Sequence, residues 1–284
     1  MPLKHGVRKN YKMNIIDLDE QYLPLYFVCL DDWSDEMKEA GNHKEIWYNR
    51  IKDNGLRVKL ALDDKGVVGG MIQYVPIEYS PADGNDLYFI NCIWVHGHKQ
   101  GRGNFQHHGM GTALLEAAEA DARALNAKGI AAWGLFIPAF MRASWFRKHG
   151  YHTADRQGIQ VLLWKPFTAD TLPPKWIRQK AQPALELNKV TVTAFCSGWC
   201  PVQNLALERA KRASAEPDLS DKIVFHEIDT FDRKEFLKFG ISDALFINHK
   251  EVRTGPPPSY NKIRRLIEKQ TRKLQGQQQP VTPL

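Results

Sequence analysis

The sequence predicts a mixed α/β protein in two unequal units. Three observations carry that reading. Segments of strand and helix character alternate along most of the 284 residues. A proline-containing connector over 168–187 interrupts the alternation, and a shorter βα pattern restarts beyond it. A hydrophobic fraction of 43% beside 25% charged residues matches an ordinary globular chain.

The first unit is expected over 1–167. Met13–Ile16 reads as a short strand, and Asp35–Asn54 as an amphipathic helix carrying Met37, Ala40, Ile46, Trp47 and Ile51. Leu56–Leu62 and Val67–Val75 flank Asp63-Asp-Lys-Gly66 as a hairpin. Leu87–Val95 is apolar or aromatic except at Asn91, as a strand buried on both faces should be. Gly109–Asn126, rich in Ala, Leu and Glu, is a helix. Gly129–Phe136 is a strand, Arg142–His149 a short helix and Gln160–Trp164 a last strand. Such an order builds a mixed sheet with helices on both faces.

The second unit is expected over 188–274, with 275–284 as a flexible tail. Val190–Phe195, Ile223–Ile228, Leu245–Asn248 and Glu251–Arg253 read as strands. Pro201–Ala215, Arg233–Phe239 and Asn261–Lys273 read as helices. Residues 1–167 hold 20 Lys and Arg against 19 Asp and Glu, and residues 168–284 hold 19 against 13. The net charge of +7 is therefore concentrated late. No aromatic residues interleave the basic run Lys262–Lys273, which argues against nucleic acid and for a solvated helix. No apolar stretch reaches bilayer length, and the basic start lacks the apolar segment of a secretory signal. Four cysteines, Cys29, Cys92, Cys196 and Cys200, suit a reducing compartment, and a cytoplasmic location is the expectation. No metal site is expected.

The segment Gly101-Arg-Gly-Asn-Phe-Gln-His-His-Gly-Met-Gly111 runs directly into the Ala-rich helix. A helix start offers backbone N–H groups without intrahelical acceptors, and its dipole favours an anion. Glycines at 109 and 111 let a phosphate approach the main chain closely. Here the chain resembles the GNAT superfamily of acetyl-CoA-dependent N-acetyltransferases, whose pyrophosphate motif is Gln/Arg-x-x-Gly-x-Gly/Ala. Gln106-His-His-Gly109-Met-Gly111 fits it. The late segment Phe146-Arg-Lys-His-Gly-Tyr-His152 is similar to the family's as well. A second register, Gln100-Gly-Arg-Gly103-Asn-Phe105, lies at the family's usual distance from the strand but ends on Phe105 where a small residue is required. The later register is the one chosen, which makes Gly97–Phe105 an enlarged loop that either shapes the acceptor mouth or is slack.

The resemblance implies a GNAT acyl-CoA N-acyltransferase fold with acetyl-CoA as co-substrate. It implies pantetheine contacts at Trp94 and Val95, a splay between that strand and Gly129–Phe136, and a pyrophosphate held along Gln106, His107, His108, Gly109, Met110, Gly111 and Thr112. The histidine side chains are expected to cap a turn or face solvent, since peptide N–H groups hold the anion. The acceptor would be a small-molecule or peptide amine attacking the thioester directly in a ternary complex. The family commonly places a Tyr proton donor four residues before the late glycine, and this chain has Phe146 there. Asn91, Cys92 and Tyr151 are the weak catalytic candidates, with Tyr88 and His96 near them, and no general base is named.

The second unit opens on a strand leading to Cys196-Ser-Gly-Trp-Cys200-Pro and a helix. This is similar to a thioredoxin-like fold, in which a helix N-terminus activates a cysteine. Cys200 holds that position, but Gln203 replaces the second cysteine and Asp243 stands where a cis-proline is expected. A binding or substrate-gating module is the reading for this unit. The whole chain resembles acetyltransferases with a YoaP-like C-terminal domain. Two alternatives stay open: an acyl-CoA sensor without turnover, and a thiol-dependent redox or detoxification protein centred on Cys200.

Overall fold

The computed structural model describes residues 13–138, 140–253 and 257–278. The basic stretch before Met13 and the end of the expected tail, 279–284, lie outside them. In chain order the elements are β1 (Asn14–Asp17), α1 (Leu23–Phe27), α2 (Asp35–Lys38), α3 (His43–Ile51), β2 (Arg57–Leu62), β3 (Val68–Pro76), β4 (Ala82–Asp83) and β5 (Leu87–Val95). They continue with α4 (Met110–Ala124), β6 (Gly129–Leu135), α5 (Ala143–Lys148), β7 (His152–Gln157), β8 (Gln160–Pro166), β9 (Lys175–Trp176) and β10 (Val190–Cys196). Next come α6 (Pro201–Ser214), β11 (Ile223–Asp229), α7 (Arg233–Phe239), β12 (Ala244–Ile247), β13 (Lys250–Glu251) and α8 (Tyr260–Gln278).

Two compact units emerge. The first joins Met1–Trp33, Leu56–Pro76 and Asn85–Pro173. Its seven strands lie in the order β1-β2-β3-β5-β6-β8-β7, and only β5 and β6 run parallel. Side chains alternate across a strand, so Ile72 and Tyr74 face one side and Gln73 the other. Leu114, Leu115 and Ala118 of α4 and Phe146 of α5 bury against the Ile72–Tyr74 side. On the opposite side the Tyr26 hydroxyl of α1 donates to Gln73 Oε1 at 2.8 Å. The mixed sheet with helices on both faces is as the alternating pattern requires.

The second unit gathers Ser34–Gly55, Ile77–Gly84 and Pro174–Leu284. Its four-stranded sheet has the order β11-β10-β12-β13, with β10 parallel to β11 and antiparallel to β12. Leu207, Ala210 and Ala213 of α6 and Ile263 and Ile267 of α8 close its main core.

Several segments depart from the sequence reading. The helix expected over Asp35–Asn54 is two helices, because Gly41 adopts φ +66° and stops the first. Both helices group with the second unit rather than with 1–167. The reason is a set of polar contacts across about 170 residues: ion pairs of Arg209 with Glu36 at 2.6 Å and Glu39 at 3.3 Å, and a hydrogen bond between His43 and Glu208 at 2.7 Å. Strand β7 was not expected, since His152-Thr-Ala-Asp-Arg-Gln157 is an edge strand with polar residues and no alternation to read. Within the connector, Lys175–Trp176 pairs with Ala82–Asp83. Helix α8 carries on through Gln278, past the point where a flexible tail was placed.

Candidate active site

The site is assembled at the start of α4. Gly109 caps this helix in the left-handed region at φ +87°, a conformation that glycine adopts without a Cβ penalty. The first intrahelical bond runs from the Ala113 N–H to the Gly109 carbonyl at 3.0 Å. The N–H groups of Met110, Gly111 and Thr112 therefore stand ahead of the intrahelical ladder. A Cβ on Gly111 would meet only Trp145 at 3.5 Å and Val95 at 3.8 Å, both ordinary contacts. Protein packing thus does not demand glycine at 111, and the space belongs to the cleft.

That cleft is about 1200 Å³. Every residue expected to hold the acyl carrier lines it: Trp94, Val95, Gln106, His107, His108, Gly109, Met110, Gly111 and Thr112. Its inner end is made by the sheet. β5 pairs with β6 only from Leu87 to Ile90, opposite Gly129 to Ala132, while both strands continue further. Beyond Ile90 the two diverge and expose the backbone of Ile93–Val95 to the cleft. Asn91 is the pivot: the register against β3 slips between Gln73–Cys92 and Tyr74–Ile90, so Asn91 is an extra, bulged residue. The Trp133 indole N–H crosses the split and donates to the Asn91 carbonyl at 2.7 Å.

The two candidate glycine registers differ in packing. Phe105 is buried against Gly69, where a Cβ would come within 2.4 Å of its ring, and its N–H bonds the His96 carbonyl at 2.9 Å. The earlier register therefore ends in a plug that fastens the loop to the core. Gln106 folds its side chain over Gly97. His107, at φ +66°, and His108 are both exposed, as expected for side chains outside the anion's direct grip. The Thr112 hydroxyl bonds His149 Nε2 at 3.1 Å, while His149 Nδ1 bonds the Trp145 carbonyl at 2.9 Å.

The catalytic candidates separate. Asn91 is 3% exposed, and its Oδ1 has no hydrogen-bond partner among the described residues. Cys92 is buried opposite Gln73. Tyr151 is not in the cleft: it packs in the core 5.3 Å from the Phe146 ring, and burial followed by the Glu119 charge pushes its phenol well upward. Phe146 is fully buried, lines the cleft and offers no proton. Tyr88 packs on the Tyr74 ring at 5.7 Å. Sequence reasoning missed Met13, Glu116, Phe140, Arg142 and Trp145, which also line the cleft. Arg142 is exposed just ahead of α5, where the sequence reading had begun its short helix.

Cys200 is the N-cap of α6 in the second unit, half-buried, and Pro201 takes the first helical position. Cys196 is buried, and burial followed by the Asp243 and Glu227 charges pushes its thiol far above the ordinary range. Its S–H donates to Asn204 Oδ1 at 3.6 Å. Neither cysteine forms a disulfide. Asp243 accepts from the Ser197 N–H at 3.0 Å and from the Ser197 and Ser242 hydroxyls at 2.8 Å. The place expected for cis-proline is thus occupied by a loop-fixing carboxylate. Among the described residues there is no cluster able to hold a metal, and no helix is long and apolar enough to cross a membrane.

Residues 15–151 match the model of the acetyltransferase (GNAT) family. An uncharacterised N-acetyltransferase, YoaP of Bacillus subtilis (strain 168), is 24% identical over 197 residues, 66% of this chain and 73% of its own. Similar solved structures include a GNAT family acetyltransferase from Brucella melitensis in complex with acetyl-CoA, 16% identical with a TM-score of 0.38. The similarity covers 57% of this chain and 92% of that one. PaiA N-acetyltransferase from Thermoplasma acidophilum in complex with coenzyme A is 15% identical with a TM-score of 0.41, covering 55% and 99%.

Proposed function

We propose that the region matching the GNAT acetyltransferase model, residues 15–151, transfers the acetyl group of acetyl-CoA to an amine by direct attack in a ternary complex. The observation that carries this is the continuous cleft from the split of β5 and β6 to the bare start of α4. The N–H groups at 107–112 hold the pyrophosphate, and Arg142 adds a positive charge at the same wall. The glycine at 111 leaves the room a phosphate needs against the main chain. Acetyl-CoA supplies the thioester. The diverging backbone of Ile93–Val95 holds the pantetheine arm so that the acyl carbon and the amine meet side by side, and that proximity supplies much of the acceleration. A C–N bond forms, the C–S bond breaks, the nitrogen gives up a proton to water, and the thiolate takes one from water, because Phe146 cannot donate and Tyr151 lies in the core.

The second unit is, in this reading, a thioredoxin-like binding module rather than a redox centre. Its strand order and the Cys200-capped helix support the likeness. The buried Cys196 and the Asp243 loop weigh against disulfide exchange.

Calorimetry with acetyl-CoA, followed by release of free thiol against a panel of amines, tests the proposal. Binding with amine-dependent thiol release is expected. Binding without release for any amine would make the domain a sensor, and the absence of heat would remove the carrier site altogether.

A further inference from the structure

The sheet face opposite α4 carries a cluster that the acyl-carrier cleft does not use. The cluster comprises Asp31, Trp33, Trp94, His96, His98 and Phe140. Trp94 and His96 alternate with Val95 and so share a face at the end of β5. Trp33 lies 5.7 Å from the His98 ring, Trp94 lies 6.4 Å from His98 and 5.8 Å from Phe140. Trp94 and Phe140 also line the cleft, so two members of the cluster are shared with it. Trp33 and Phe140 are about two-fifths exposed, as rings lining a mouth would be.

Asp31 is the anomaly in this aromatic setting. Its Oδ1 is buried with no hydrogen-bond partner, and among the described residues no lysine or arginine lies within ion-pair distance. The nearest ionisable group is His96 Nε2 at 3.6 Å. That ring already has a partner at each nitrogen. Its Nδ1 faces the Gly103 carbonyl at 2.6 Å, and a carbonyl only accepts, so Nδ1 carries the hydrogen. Its Nε2 accepts from the Trp33 indole N–H at 3.0 Å, so it has no proton to donate to Asp31. Burial is the main influence on the Asp31 carboxyl and pushes it upward. A buried carboxylate oxygen without a counter-charge is costly unless a ligand supplies one.

The chain invests in this corner. Cys29 at φ +52° and Leu30 at φ +68° are consecutive non-glycine residues in the left-handed region, directly before Asp31. Such strain persists only where the surroundings fix it. Gly101 presses on Trp33, where a Cβ would come within 2.1 Å of the indole. The loop Gly97–Phe105 is therefore not slack: it holds Trp33 through Gly101 and His96 through Gly103.

We propose that this corner is the acceptor subsite, and that it takes a protonated primary amine on an aromatic or otherwise apolar skeleton, whose nitrogen gives a proton to water before it attacks the thioester. Asp31 anchors the ammonium, and Trp33 and Trp94 wall the skeleton, combining a charge-assisted hydrogen bond with cation–π attraction. The term acceptor rests on the acetyl-transfer reading. The ammonium site itself does not.

Phenethylammonium is the probe, titrated at pH 7 into the full chain and followed by tryptophan fluorescence and calorimetry. The wild type is expected to bind it about tenfold to a hundredfold more tightly than neutral phenethyl alcohol. Asp31→Asn is expected to lose that preference, while Asp32→Asn, whose exposed carboxylate pairs with Arg102 at 3.1 Å, keeps it. Heat with coenzyme A should be the same in all three proteins. No discrimination between ammonium and alcohol by the wild type, or full discrimination by a folded Asp31→Asn, overturns the proposal. The alcohol comparison needs no variant, so misfolding of Asp31→Asn leaves a decisive measurement. Failure of coenzyme A to bind would instead sink the acetyl-transfer reading and leave the ammonium result standing.

Discussion

Two helix starts in this chain use the same local device and reach opposite ends. Both α4 and α6 follow a strand and a loop, long before α4 and short before α6, and both begin where backbone N–H groups and the helix dipole favour an anion. At α4 the approach is bare: a left-handed glycine, a second glycine with open space beside it, and a wide cleft. At α6 the approach is filled. Pro201 removes one N–H from the first turn. Asn204 donates to the Gly198 carbonyl at 3.0 Å and accepts from Cys196, and Asp243 ties down Ser197. The dipole is common to both, so it cannot be what makes a site. What differs is the space left in front of it.

The strongest way to break this comparison is to fill the open end. Gly111→Val places methyl groups in the cleft at a position with unstrained φ, so coenzyme A binding should fall about a hundredfold. The melting temperature should hardly move. A variant that binds coenzyme A normally would show that the helix start is not the phosphate cradle.

Unsealing the other end is the next test. Asn204 is 1% exposed and joins Cys196 to Gly198. Asn204→Ala should cost about 1–3 kcal/mol of stability by leaving those groups unpaired. It should also make Cys196 accessible to iodoacetamide, read by mass spectrometry, while coenzyme A binding stays unchanged. Unaltered stability and labelling would mean that the loop is held by other contacts.

The smallest effect is a slope with pH. Burial holds the Asp243 carboxyl above its ordinary range, and the three hydrogen bonds from Ser197 and Ser242 only partly oppose that. The folded state then keeps the proton to a higher pH than the unfolded chain. This contribution to stability is full below the unfolded carboxylate value, about 3.9, and is lost as pH rises through the folded one. Asp243→Asn removes the change, so melting curves of variant and wild type should separate progressively as pH is raised from about 4. Parallel profiles would show that Asp243 does not titrate in that way.

The two ends also differ in how far they could be read from the sequence. Gly109, Gly111 and the Ala-rich run after them were legible because φ preference and helix propensity are set within a few residues. The same holds for β5, whose unbroken apolar run marks a central strand. The polar edge strand β7 and the break at Gly41 fell below that signal. Phe105 looked like a defect in a motif, and only its burial against Gly69 shows that it closes the loop. Tyr151 looked close to the site because it follows the glycine of the late segment, yet its hydroxyl points into the core.

By itself the amino-acid order determined where strands and helices form, which helix start is glycine-lined, and that a second βα pattern follows a connector. The tertiary structure decided the rest: that β5 and β6 part at Asn91, that Glu36 and Glu39 serve Arg209, and that Asp31, Trp33 and His96 meet. The physical reason is range. Backbone sterics and side-chain entropy act between neighbours and leave a pattern in sequence, whereas a buried charge finds its partner only after distant segments pack.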